Sequence, residues 1–158
     1  MSFYINNRNF VKGLAIDTAA SGSAVYKDLC CASEITLNLG EETDDFFVFC
    51  DAIQRHVTTG LAFSIETTLK LDAENDGVQN LLSRIHTALS AGTTAQLDNV
   101  GIQFKLLTGV TEDTLTYTTY QGTAQVVVDT MGGAAEDSGE LPVTFNINGT
   151  LTEVSTSL

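Results

Sequence analysis

The chain has 158 residues, 43% of them hydrophobic, which suits one packed domain and excludes global disorder. Its 20 acidic and 7 basic residues give a formal net charge of −13. That balance excludes a duplex-DNA reader held by phosphate contacts, because such binding needs Lys and Arg to displace counterions.

Residues 1–33 are the least regular part and read as an N-terminal arm with one short strand near Leu14 to Asp17; Ala19 to Ala24 is a small-residue stretch with little to pack. Residues 34–154 read as a single β domain, and 155–158 as a loose tail. Glu34 to Leu39 is a short strand with Ile35, Leu37 and Leu39 on one face. Gly40 to Asp45 reads as an acidic turn. Phe46 to Phe49 is an apolar run, either core or an interface plug, and Arg55 to Gly60 reads as a connector. Leu61 to Leu71 alternates almost without fault: Leu61, Phe63, Ile65, Leu69 and Leu71 point one way, interrupted by Thr67, while Ser64, Glu66, Thr68 and Lys70 point the other. A helix is predicted at about 75–90, because Val78, Leu81, Leu82, Ile85 and Leu89 form a stripe on a 3.6-residue period. Asp72 or Asn75 caps its start and Gly92 stops it. Strands resume at 95–107, 114–121 and 123–130, with a hairpin turn expected near Gly122. Met131 to Glu140 reads as a flexible loop, and the last strand runs from Leu141 to about Val154. The fold class is therefore mainly β with one α-helix, as a β-sandwich or half-barrel.

Residues that carry chemistry are sparse. Glu41, Glu42, Asp44 and Asp45 could hold a hard cation but read as a solvated loop. Asp72 to Gly77 resembles an EF-hand start but has Ser83 where the closing acid belongs, so it reads as a helix start. His56 and His86 share no metal spacing. Cys30, Cys31 and Cys50 form neither an even disulfide framework nor a C-x-x-C pair, and read as free thiols. No signal peptide, membrane-length run, phosphate loop or nucleophile elbow is visible. No enzyme activity, metal, cofactor or membrane partner is expected.

The order of elements over 34–154 is strand, acidic and aromatic loop, long strand, helix, then strands. With Tyr120-Gln121-Gly122-Thr123-Ala124-Gln125-Val126 and the closing Val143-Thr144-Phe145-Asn146-Ile147-Asn148-Gly149-Thr150-Leu151-Thr152, it resembles the major tail protein (tail tube protein) family of long-tailed bacteriophages. The secretion-system tube protein Hcp shares that family's fold. The resemblance implies a virion structural protein whose strands join a continuous barrel across the subunits of a hexameric ring. Rings stack into a tail tube, an acidic channel that DNA traverses without specific binding on its way into the host. It implies tape measure, tail tip and tail terminator proteins as partners, and assembly in the bacterial host cytoplasm. Within that frame Glu66 is the lumen-facing candidate. Glu41, Glu42, Asp44, Asp45, Phe46, Phe47 and Phe49 are the inter-ring or inter-subunit candidates. A tube subunit of a secretion or contractile injection system is the alternative, and an acidic β-sandwich binding module a third reading.

Overall fold

Alternating, Thr- and Val-rich segments dominate this chain, and they form strands. A computed structural model describes residues 9–19, 22–29, 32–48, 51–112 and 114–154, with side chains described outside 41–61. The elements are β1 (Val11–Asp17), β2 (Tyr26–Asp28), β3 (Ala32–Val48), β4 (Asp51–Lys70), α1 (Asp76–Ala91), α2 (Ala95–Asp98), β5 (Val100–Val110), β6 (Leu115–Val127) and β7 (Glu140–Val154). The strands make one seven-stranded antiparallel sheet in the order β2-β1-β5-β6-β7-β4-β3, curled into a half-barrel. Residues 11–17 and 26–28 thus belong to the sheet, although the sequence suggested an arm with a single strand.

Register sorts the side chains by face. Ile65 of β4, Phe145 of β7 and Val126 of β6 stand side by side in one row, and Val100 of β5 continues the same face beside Ala124. All are buried, together with Ile16 of β1 and Val78, Leu81 and Ile85 of α1. Each such side chain contributes about 1.5–3 kcal/mol by leaving water. Thr67 breaks the apolar pattern of β4, yet it is buried. Its hydroxyl donates to the Glu34 carbonyl at 2.6 Å, which removes the cost of an unpaired polar group.

The helix forms where its stripe predicts. Asn75 is the cap: its side-chain oxygen accepts from the Val78 N–H at 3.0 Å, and its Nδ2 donates to the Asp28 carbonyl at 3.1 Å. Gly92 ends the helix in the left-handed region at φ 66°, where a side chain is disfavoured. Arg84 fixes the middle of the helix by donating to the carbonyls of Asp17 and Gln96.

Gly77 sits where α1 meets Leu29. A Cβ there would lie 2.6 Å from Leu29 Cδ2 and 3.3 Å from the Lys27 carbonyl. Alanine favours a helix by up to about 1 kcal/mol over glycine, but Leu29 is itself buried and has little room to yield. The overlap wins: Gly77→Ala is expected to lower stability by about 1–2 kcal/mol in a denaturant melt.

Two sequence readings change. Gly122 does not turn the chain. It lies inside β6, in register with Ile102, and a Cβ there would come within 3.0 Å of Leu151 Cδ2, so glycine admits a neighbour rather than a bend. Residues 40–45 and 55–60, read as a turn and a connector, are strand.

Candidate functional site

The face opposite the helix is polar and exposed. Strand alternation that buries Ile65 and Phe145 leaves Ser64, Glu66, Thr68, Thr144, Asn146 and Gln125 on this side. Its strand-borne charges among the described residues are Glu34, Glu66 and Glu140 against Lys12, Lys70 and Lys105. Lys70 and Glu140 pair in register and form an ion pair. Lys12 lies 5.0 Å from the centre of the Tyr117 ring. The free acids therefore stand toward β3 and β4, and the bases toward β1 and β5. Many other acids lie off this face, at the start of α1 (Asp72, Glu74, Asp76) and in the loop before β7 (Glu136, Asp137).

Glu66, the lumen candidate, is exposed on this polar face between Thr36 and Thr144. A groove of about 210 Å³ passes over it, lined by the carboxylates of Glu34, Glu66 and Asp129 and by Thr36, Thr68 and Thr144. Among the described residues no group of three His, Cys, Asp or Glu side chains is placed to hold a metal ion.

The sheet has two incompletely covered edges. β3 has β4 on one side and no strand on the other. β2 covers β1 only at Ala15, Ile16 and Asp17, leaving the stretch around Val11 and Lys12 open. Beside this edge, Asp17 closes the 18–25 loop by accepting N–H groups from Ala19 at 2.9 Å and Val25 at 3.0 Å. Burial, and secondarily the Asp17 carboxylate, raise the pKa of the Tyr26 hydroxyl.

The third feature is a hairpin. β4 pairs with β7 only over Ser64 to Lys70, whereas its pairing with β3 continues to Val48 and Asp51. From Asn38, opposite Ser64, the two strands run on as a ribbon for about 30 Å. The contact candidates Glu41, Glu42, Asp44, Asp45, Phe46 and Phe47 all belong to β3 of this ribbon, although their side chains lie outside the described ones. Phe49, Cys30, Cys31 and Cys50 lie outside the described residues. Sequence reasoning missed the ribbon because register shifts between Glu42 and Thr43 and between Phe46 and Val48 break the alternation.

No protein-family model matches this sequence, and no curated protein matches it. Solved structures do. The chain is similar to one in the tail of the empty gene transfer agent particle, refined with C6 symmetry, at a TM-score of 0.58 and 12% identity, covering 96% of this chain and 100% of that one. It is similar to the SPP1 tail tube at a TM-score of 0.55 and 18% identity, over 92% of this chain and 76% of that one. It also matches a chain from the PVC extracellular contractile injection system, solved as the sheath/tube terminator in the extended state. That TM-score is 0.52 at 10% identity, over 98% and 99% of the two chains. The curled sheet, its flanking helix and its hairpin are thus the fold that this chain shares with structures from tails and tail tubes.

Proposed function

We propose that the chain is the repeating subunit of a virion tail tube. Copies close into hexameric rings, the rings stack, and the polar face of the sheet lines a channel through which the genome leaves the particle. The likeness to tail structures over nearly the whole chain carries this reading. Sheet direction supports it. Every neighbouring pair from β1 across to β3 is antiparallel, so β1 and β3 run in opposite senses. Copies standing side by side around an axis then present β3 to the β1 edge of the next in the antiparallel sense used throughout the sheet. Joining the edges removes two rows of unpaired backbone groups that would otherwise invite uncontrolled pairing.

On this reading the channel wall is hydroxyls and amides with few charges. Glu66 and Glu34 repel passing phosphates, and the remaining wall offers DNA few ion pairs, so the genome slides instead of adhering. The tube's partners are further copies of itself and the tape measure, tip and terminator proteins of the tail. Assembly takes place in the bacterial host cytoplasm. The likeness to the contractile injection system supports a second reading, a tube subunit of an injection device, with the same architecture and a different cargo.

The test is negative-stain electron microscopy of the purified protein, concentrated at moderate salt to screen its charge. Rings or hollow tubes are expected. Monomers at every concentration and salt level would overturn the proposal.

A further inference from the structure

The sequence stripe places Leu89 on the buried side of α1, yet Leu89 is 77% exposed. It stands in an open groove of about 680 Å³ between the C-terminal half of α1, α2 and the segment after β6. The apolar lining is Ile85, Ala88, Leu89, Leu97, Val128 and Met131, and Met131 is 54% exposed. Contiguous apolar surface on a soluble fold marks a contact site.

The molecule carries an apolar segment of matching character, and the sheet places it at the opposite end. Val128 and Met131 follow the end of β6, at the end of the sheet where β4 finishes at Lys70. The ribbon of β3 and β4 leaves from the other end, and Phe46, Phe47 and Val48 complete β3 at its tip. A copy's own ribbon therefore points away from its own groove.

We propose that the groove receives the tip of the β3–β4 ribbon from a second copy of this chain, stacked end to end; this rests on the tube reading above. Such a contact joins two different surfaces, so it does not close on itself and it propagates along an axis. Phenylalanine side chains meet the leucine and methionine of the groove, and apolar area left exposed on a single copy is removed from water. Asp44, Asp45 and Asp51 accompany the tip in sequence, so tubes lengthen as salt screens the repulsion between highly acidic copies.

Two experiments on the full chain test this. Leu89→Asp and Met131→Asp alter side chains that are exposed in the single copy, so melting temperatures stay at the wild-type value while sedimentable tubes are lost and rings accumulate. A benzophenone photocrosslinker in place of Phe47, irradiated in assembled tubes, gives inter-copy adducts on peptides covering 85–97 or 128–131. Wild-type tube yield from both aspartate variants, or adducts confined to other peptides, would overturn the docking site and leave the tube reading standing. A wild-type chain that forms neither rings nor tubes would overturn both.

Discussion

Phe145→Ala is expected to cost about 3–5 kcal/mol, read as a drop of roughly 10 °C in melting temperature. Phe145 is fully buried. Its register neighbours are Ile65 on β4 and Val126 on β6, so it joins the two halves of the sheet beneath the core. Alanine removes most of that side chain and leaves a cavity that two rigid strands cannot close. Domains of this size are stable by only about 5–15 kcal/mol, so the loss is a large part of the whole. The ion pair of Lys70 and Glu140 offers a contrast on the same sheet. Both side chains are 46% exposed, and breaking the pair should cost no more than about 1 kcal/mol. Differential scanning calorimetry of Phe145→Ala and Lys70→Ala separates the two effects, and a larger loss for Lys70→Ala would contradict the account of the core.

Replacing residues 43–58 with an Asn-Gly turn is expected to abolish tubes while leaving the fold intact. The last retained pair is Glu42 with Gly60, and an Asn-Gly turn closes two antiparallel strands there without forcing their twist. Every core residue named above lies outside the excised segment, so melting should change little. The extended contact surface is lost. Size-exclusion chromatography and electron microscopy together should report folded monomers or single rings. Tubes of wild-type length from the shortened chain would show that the ribbon has no part in stacking.

Much of this fold is legible in the sequence where a single period runs without interruption. β4 between Phe63 and Lys70, β7, and α1 with its Asn75 and Gly92 caps follow from alternation, helical spacing and end signals alone. The failures have local physical causes. The β3–β4 ribbon carries bulges, and a one-residue slip moves every later side chain to the other face, so its pattern reads as a turn, an apolar run and a connector. Gly122 was expected to turn the chain, whereas its missing side chain makes space for Leu151. β2 is three residues long and is held by pairing to β1, a tertiary fact with no local signature. Leu89 fits the helical stripe and still faces outward, because a stripe longer than the surface it covers leaves its last residue without a partner. The polar face was legible as the wet side of β4, but its balance of charge was not. The net charge of −13 suggests an acidic wall, yet many of the acids sit in loops and at the helix start.

The central claim is that copies of this chain build a tube whose channel is lined by the polar face. Cryo-electron microscopy of assembled particles tests it most directly. The expected result is sixfold stacked rings with a continuous β wall, Glu66 toward the lumen and α1 on the outside. Particles without a closed β wall, or a wall with α1 toward the lumen, would contradict it.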